Sequence, residues 1–427
     1  MIGFAGLSHL GIVSSAAAAA KGFDVAGFDP DPAVCAAMAA GKPPIVEPGL
    51  PELLRENAAR TRYATDDAVL RECDVIYISV DVPTDAANRS DHAPVRSLLE
   101  RAARVAKPGA VLVVLSQVPP GFTRALLETV EGLDGKSLRL FYQVETLVFG
   151  IAVERALHPE RFIVGCADAA LPLPPALDAF LKAFDCPVLP MRYESAELTK
   201  IAINHFLAAS VAMTNTLAEI CEAIDADWSE VAPALRLDRR IGAHAYLTPG
   251  LGIAGGNIER DLATVIGLAA QHNTDAGVVR AIVDNSAHRR DWALREVRRA
   301  IGANTAPRVS VWGLAYKVDT ASTKNSPALA LLDALDASAI AVRAYDPRAR
   351  VNGHRAHVTI ADDPVSACRQ ADVLAVMTPW REFADVDLTR VKQAMRGRVI
   401  VDPFAALDGA RCVAEGFSYR RIGRGNA

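Results

Sequence analysis

The chain has 427 residues, of which 51% are apolar and 22% charged, and 46 Lys and Arg face 50 Asp and Glu for a net charge of −4. This composition excludes a disordered chain, and the charge balance excludes a basic surface of the kind that binds nucleic acid or an anionic membrane. Seven scattered cysteines contain no C-x-x-C pair, so we expect no disulfide framework and no metal site, as is typical of the reducing cytoplasm.

The first part of the chain alternates short β-branched runs with Ala- and Leu-rich helical segments. No basic region precedes the apolar start, so we expect a strand there rather than a targeting segment or a membrane span. Runs that are apolar on both faces and are separated by helices indicate a parallel sheet covered on each side. We predict strands at 2–5, 25–28, 75–80, 111–116, 139–143 and 162–164.

A glycine turn follows the first predicted strand. Gly6 and Gly11 flank Ser8, which takes the place of the second glycine in the G-x-G-x-x-G pattern. Glycines there allow a tight turn and a close approach of pyrophosphate to the helix N-terminus. Asp29 ends the second predicted strand, where a carboxylate bonds the ribose of NAD and repels the 2′-phosphate of NADP. We predict NAD binding here; the alternative is a plain glycine turn in an α/β domain that binds no nucleotide. His9, within the turn, is expected to form local hydrogen bonds and is given no role.

From about residue 195 the pattern changes to one long amphipathic helix. Ser195 is the candidate N-cap, and the helix is predicted to run to Asp225. So much apolar surface on a long helix indicates packing between domains or between subunits. Apolar side chains recur at helical spacing at Leu198, Ile201, Ala202, Phe206, Ala209, Met213, Leu217, Ile220 and Ile224. For Phe206 and Met213 we expect packing in the core.

A second series of strand and helix patterns occupies the C-terminal part of the chain. Strands are predicted at 308–315, 342–345, 373–377 and 399–401. We therefore predict an α/β protein in which two doubly wound, Rossmann-like domains are joined by a long central helix. The predicted domains are an NAD-binding domain at 1–194, a helical domain at 195–302 and a substrate-binding domain at 303–427.

Eight short motifs follow one another along the chain. They are EPGLPELL at 47–54, VPTD at 82–85, PPGFT at 119–123, HPER at 158–161, SAELTK at 195–200, DRRIG at 238–242, GLAYK at 313–317 and SPA at 326–328. In order and spacing they resemble the UDP-glucose/GDP-mannose 6-dehydrogenase family over essentially the whole chain. The resemblance implies NAD as cofactor, a nucleotide-sugar substrate, a homodimer, and two successive oxidations of a primary alcohol by way of a cysteine-bound intermediate.

The resemblance implies catalytic roles for four residues. Lys200 and Asn204 would stabilise oxyanions and hold water, while Glu145 and Asp261 would manage protons. Helical spacing of four residues puts Lys200 and Asn204 on one helix face. The alternatives are a solvated lysine, a capping or interface asparagine, and, at Glu145, a surface carboxylate that follows a strand.

The loop before Asp261 departs from the family. The family pattern G-x-G-F-G-G-S-C-F-P-K-D corresponds to 250–261, which puts Asn257 at the cysteine position. No cysteine lies between Cys221 and Cys368, so a shift of register restores none. A carboxamide cannot ionise to a nucleophile as a thiol can, and we expect the covalent step to be lost.

Other predicted contacts also come from the resemblance. Gln117, at a position where the family has threonine, Lys324, where it has arginine, and Thr84 are predicted to contact the cofactor. Lysine lacks the planar fork with which arginine grips phosphate. The predicted substrate contacts are Arg240, Lys317 and Gly255, and for Arg240 an ordinary surface arginine is the alternative. Phe404 takes the place of an arginine associated with nucleotide-sugar binding.

Three functions remain open from the sequence. The first is an NAD-dependent alcohol oxidoreductase that removes one hydride from a nucleotide sugar or a related polar substrate, stopping at the aldehyde or running in reverse. The second is the full four-electron oxidation, by way of a hydrated aldehyde. The third is a non-catalytic homologue that binds NAD or another ligand. The retained Lys200, Asn204, Glu145 and Asp261 favour catalysis, because polar groups buried without use carry a desolvation cost.

Overall fold

A computed structural model describes residues 1–85, 89–131, 135–350 and 353–425 of the chain. The chain divides into two compact units, Met1–Ile203 and Asn204–Ala427. Each unit is built on a sheet covered by helices, so the predicted α/β class with Rossmann-like domains is confirmed. The finer division into three domains stays a prediction.

The first unit contains a sheet of eight strands. The strands are β1 Ile2–Ala5, β2 Val25–Phe28, β3 Thr61–Ala64, β4 Val75–Ile78, β5 Val111–Val114, β6 Arg139–Gln143, β7 Phe162–Cys166 and β8 Val188–Arg192. Their order is β3-β2-β1-β4-β5-β6-β7-β8. The strand order turns from β1 to β4, so a crevice forms at the carboxyl ends of these strands, where doubly wound proteins bind ligands.

Helices flank this sheet in the first unit. They are α1 His9–Ala20, α2 Pro32–Ala39, α3 Leu50–Glu56, α4 Ala93–Val105, α5 Phe122–Ala125, α6 Leu127–Glu131, α7 Ala152–Leu157 and α8 Pro175–Lys182. Local sequence explains their starts: before α2, for example, the Asp31 carboxylate accepts a hydrogen bond from Ala33 N at 2.8 Å, with proline in the first turn. The small side chains of Ala16 and Ala18 are fully buried, so α1 packs closely on the sheet.

The long helix α9 runs over Tyr193–Ile224 and continues directly from β8. The prediction of Ser195 as its N-cap is wrong, because the helix already begins at Tyr193. That ring is fully buried and its hydroxyl donates to Leu140 O, and the helix begins there, three residues earlier than predicted. The expected core packing of Phe206 and Met213 is also wrong, because their side chains are 78% and 62% exposed. By length and composition α9 would also suit a membrane span, but the central helix of a water-soluble protein has the same features.

The second unit contains a six-stranded parallel sheet in the order β11-β10-β9-β12-β13-β14. Its strands are β9 Arg308–Trp312, β10 Ala341–Tyr345, β11 Val358–Ile360, β12 Val373–Val376, β13 Val399–Val401 and β14 Ser418–Arg420. Its helices are α10 Trp228–Leu237, α11 Asn257–His272, α12 Gly277–Arg290, α13 Trp292–Ile301, α14 Pro327–Ala337, α15 Pro364–Ala367, α16 Arg381–Ala384, α17 Leu388–Ala394 and α18 Gly409–Ala414.

The structure corrects the predicted sheets in two ways. In the first sheet β7 runs antiparallel to β6, with Tyr142 opposite Gly165, so that sheet is mixed rather than wholly parallel. The sequence analysis also missed β3, β8, β11 and β14, which are the edge strands of the two sheets. Edge strands are partly exposed, so they lack the continuous apolar run that identifies a buried parallel strand.

Candidate active site

The glycine turn at the carboxyl end of β1 has the geometry that a dinucleotide requires. Gly6 has φ +91°, and a Cβ atom on Gly11 would lie 2.0 Å from Gly6 O, so only glycine fits at position 11. Ser8 has φ −77°, which any residue adopts, and its hydroxyl donates to Ser79 O at 2.9 Å. The serine side chain is thus bonded just after β4, and the backbone conformation at position 8 does not require glycine.

Asp29 lies at the carboxyl end of β2, half-buried beside this turn. Its Oδ2 accepts a hydrogen bond from Leu7 N at 2.8 Å, and its Oδ1 accepts one from Asp31 N at 3.0 Å. Each carboxylate oxygen keeps further acceptor capacity, so ribose hydroxyls can still bind. The turn and this carboxylate therefore fit NAD.

Thr84 and Gln117 lie on the segments that follow β4 and β5. Thr84 forms an antiparallel bridge with Ser90, and Gln117 is half-buried. The loop after Gln117 is anchored by Glu197 of α9, a fully buried carboxylate that accepts hydrogen bonds from Gly121 N at 2.6 Å and Thr123 N at 2.8 Å. The glutamate of the SAELTK motif therefore holds the PPGFT turn, so one carboxylate connects these two motifs.

Glu145 follows β6, with its side chain 15% exposed. Its Oε2 lies 3.8 Å from Lys200 Nζ, and its Oε1 accepts a hydrogen bond from Leu147 N. Burial raises the pKa of the Glu145 carboxyl, and the nearby Lys200 and His9 only partly offset that rise. A carboxyl with a raised pKa beside a lysine is suited to exchange protons.

A cavity of about 60 Å³ lies behind Glu145. Gln143 and Tyr77 line it, and Tyr77 Oη donates to Gln143 Oε1 at 2.8 Å. One water needs roughly 10–15 Å³ of such volume, while pockets for drug-sized ligands measure roughly 300–1,000 Å³. The cavity can therefore hold water beside Glu145 but not a sugar nucleotide.

Asn204 and Asp261 form a pair in the second unit. Asn204 Nδ2 donates to Asp261 Oδ2 at 2.5 Å, and Asp261 is 1% exposed. Arg260 Nε donates to the other carboxylate oxygen at 3.3 Å and is itself buried. The structure thus brings together two of the four predicted catalytic residues here and the other two, Glu145 and Lys200, in the first unit. Lys200 and Asn204 are one turn apart on α9.

Asn257 is the first residue of α11, and it is exposed. It follows Gly255 and Gly256, whose φ angles of +98° and +97° require glycine. A Cβ atom on Gly255 would lie 2.6 Å from the Tyr316 ring, and one on Gly256 would lie 2.8 Å from Lys324 Cε. Residue 257 therefore begins a helix directly after a tight glycine loop.

Glu259 stabilises this glycine loop, and the sequence analysis missed it. Its Oε2 accepts from Gly256 N at 2.7 Å and its Oε1 accepts from Asn325 Nδ2 at 2.9 Å. The signal was present, because a glutamate in the first turn of a helix often bonds back to the backbone before it. Glu259 therefore connects the start of α11 to the segment that carries Lys324.

The remaining residues that the resemblance predicts to contact substrate, and Phe404, each lie beside a neighbour in the structure. Arg240 is exposed, and its guanidinium lies 2.6 Å from the Asp238 carboxylate. Lys317 Nζ lies 5.9 Å from the centre of the Tyr316 ring. The ring of Phe404 lies over Gly250, 3.7 Å from where a Cβ atom would stand. The structure leaves the roles of these residues as predictions.

Asp346 in the second unit repeats the position of Asp29, a likeness that the sequence analysis missed. It follows β10, and its Oδ2 accepts from Leu314 N at 2.6 Å, as Asp29 accepts from Leu7 N. The signal was the repeated dipeptide Asp-Pro after an aromatic residue, at 28–30 and 345–347. Asp346 is 5% exposed and also accepts from Trp380 Nε1, so its carboxylate serves the fold rather than a ribose.

Comparisons with known proteins agree with this fold. Models of the UDP-glucose/GDP-mannose dehydrogenase family match its NAD-binding domain at 1–172, its central domain at 194–287 and its UDP-binding domain at 310–409. A UDP-glucose 6-dehydrogenase of Pseudomonas aeruginosa is 30% identical, covering 99% of this chain and 97% of that protein. One from Rhizobium meliloti is also 30% identical, covering 98% of each.

A solved structure has the same fold. The UDP-glucose dehydrogenase of the archaeon Pyrobaculum islandicum has a TM-score of 0.84 at 26% identity, covering 98% of this chain and 96% of that one. Fold and site together define an NAD-dependent dehydrogenase that acts on a CH–OH group. The chain belongs to the UDP-glucose/GDP-mannose dehydrogenase family.

Proposed function

We propose that the protein oxidises the primary alcohol of a UDP-sugar-like substrate by a single two-electron step that ends at the aldehyde. The observation that supports the proposal is that no cysteine occurs from 222 to 367, a range that includes the loop at 250–261, where the resemblance predicts Asn257 at the position of the family's cysteine. An amide forms no thiohemiacetal, so the second hydride loses its covalent intermediate.

The retained polar residues supply what the first step needs. Lys200 and Asn204 donate hydrogen bonds to the substrate oxygen as its charge develops, and fixed donors of this kind lower the barrier without a thiol. Glu145, whose pKa is raised by burial, or Asp261, which is held by Asn204, accepts the hydroxyl proton. Asn257 can add a further donor. Gly6, Gly11 and Asp29 would hold NAD, which would supply the acceptor for the hydride.

The experiment counts NADH formed per molecule of substrate consumed, over a panel of UDP- and GDP-sugars, with the aldehyde captured by a hydrazine. We expect one NADH and one captured aldehyde per sugar. Two NADH and a carboxylate product would show the four-electron route by way of a hydrated aldehyde. Measurable NAD binding with no NADH from any sugar would show a non-catalytic homologue. Either of these results would overturn the proposal.

Lys200→Met checks the proposed role of the lysine in the same assay. Removal of one donor to a developing oxyanion typically lowers kcat by about 10²–10³-fold. Lys182→Met is the matched control, because Lys182 is 71% exposed and forms an ion pair with Asp178 of its own helix. An equal effect of both substitutions would contradict the role of Lys200.

We also propose that the protein is a homodimer formed through α9. Only 28% of the most apolar window of this helix is buried within one chain. Phe206 is 78% exposed, Met213 62% and Ile224 67%. A contiguous apolar face of this kind is typical of a subunit interface.

A further inference from the structure

A buried hydrogen-bond network connects the glycine turn to the loop that carries Glu145. His9, the first residue of α1, is 8% exposed, and its Nε2 lies 2.9 Å from Glu47 Oε1. The Glu47 side chain is completely buried. Glu47 is the first residue of the EPGLPELL motif.

Glu47 also holds the backbone after Glu145. Its two oxygens accept from Gly150 N at 3.1 and 3.0 Å, and Oε2 accepts from Ala152 N at 3.3 Å. Two backbone N–H groups thus point at a carboxylate that only accepts, so His9 Nε2 is the protonated nitrogen of its ring. The Phe149 ring packs on the His9 ring, with centroids 4.2 Å apart.

We infer that His9 and Glu47 are positioning residues that hold the segment 145–150, and with it the Glu145 carboxyl, against the dinucleotide-binding turn. The segment is short, and it is fixed at both ends: Glu145 lies beside Lys200, and Gly150 is bonded to Glu47. Gly150 has φ +91°, a conformation that few other residues adopt. Loss of the His9 bond would therefore release the end of the segment that lies farther from Glu145.

His9 also lies close enough to Glu145 for a positive charge on its ring to lower the pKa of that carboxyl, opposing the rise that burial causes. This inference rests on the proposed role of Glu145, and one of its tests does not require turnover.

That test is amide hydrogen exchange of the segment 148–153 in the full-length protein. In His9→Leu, loss of a buried hydrogen bond should speed exchange of this segment about tenfold. His9→Gln, whose amide can donate to Glu47, should restore exchange to within about threefold of the parent. Ser15→Ala is the control, since the Ser15 hydroxyl is buried on the same helix and donates to Ile12 O. Unchanged exchange in His9→Leu and in a second variant, Glu47→Leu, would overturn the inference.

The second test is kinetic and measures NADH formation with the nucleotide sugar that the panel identifies as substrate. His9→Leu should lower kcat about tenfold and change the KM for NAD less than threefold, and His9→Gln should recover most of kcat. In a Glu145→Gln background His9→Leu should have no further effect, because both act through one carboxyl. An additive effect would overturn the inference. If Glu145→Gln alone leaves kcat unchanged, the proposed function fails at Glu145, whereas the exchange result still decides whether His9 holds the loop.

Discussion

At the scale of single residues, the proposed single oxidation depends on an amide, rather than a thiol, at position 257. A thiolate attacks an aldehyde, and the adduct can give up a second hydride before water releases it. Asn257 lies at a helix start, directly after two glycines that require positive φ.

Asn257→Cys is therefore expected to restore acid formation. We expect NADH per sugar to rise from one toward two, with carboxylate in the product, because the thiol can again trap the aldehyde. Asn273→Cys is the control, an asparagine just after the other end of α11. Product analysis by mass spectrometry decides, and continued aldehyde release from Asn257→Cys would show that position 257 is not that of the cysteine.

The raised pKa of Glu145 predicts the pH dependence of the reaction. A base works only when it is ionised, so kcat/KM should fall as the pH drops through the pKa of Glu145, which burial holds above the ordinary value of about 4.3. Lys200→Met removes the main cation that opposes this rise, so the acid limb of its residual activity should move to higher pH. A limb that stays in place would indicate that another group is the base.

At the scale of elements, the sequence identified buried strands and missed exposed ones. Strands such as β4 and β5 are fully buried and apolar throughout, and a run of that kind is readable without a structure. The edge strand β8 contains a proline and is partly exposed, so its pattern is ambiguous. The reversed direction of β7 depends on the connection after β6, which hydropathy does not report.

The positions of the candidate residues on their elements could be predicted, but their contacts could not. Helical spacing predicted that Lys200 and Asn204 share a helix face, and the structure adds the side chains that they contact, Glu145 and Asp261. The hydrogen bond between Glu47 and His9 was not predicted, because the two residues lie 38 positions apart and no local sequence pattern indicates a contact over that separation.

The turn between β1 and α1 gives a direct test of its packing. Gly11→Ala would place a Cβ atom 2.0 Å from Gly6 O, so we expect a loss of about 1–3 kcal/mol in unfolding free energy and weaker NAD binding. Gly267→Ala is the control, since a Cβ atom there meets nothing within 4 Å and alanine should gain about 0.5–1 kcal/mol in a helix. Chemical denaturation and NAD titration measure both, and equal stabilities would contradict the close contact.

At the scale of the whole molecule, two similar units are built from one chain. In each unit the first strand is followed by a glycine of positive φ and by a backbone N–H that donates to an aspartate after the next strand. In the first unit that aspartate is half-buried and keeps acceptor capacity, while in the second it is buried under further donors. The same architecture thus carries a cofactor site in one unit and a stable turn in the other.

The proposed dimer is tested by charge on α9. Phe206→Glu with Met213→Glu should convert a dimer to a monomer in sedimentation velocity, because buried glutamates without partners are costly. Leu171→Glu is the control, since Leu171 is 63% exposed and lies far from α9 in sequence. A dimer that survives both substitutions would show that the subunits associate elsewhere.

The most direct measurement of the single-hydride reaction uses a UDP-sugar with two deuterium atoms on the carbon that bears the primary alcohol. One deuterium should pass to NAD and one should stay on the product, which is an aldehyde detected by mass spectrometry after capture. A carboxylate product without deuterium, with two equivalents of labelled NADH, would contradict the proposal that the protein stops after one oxidation.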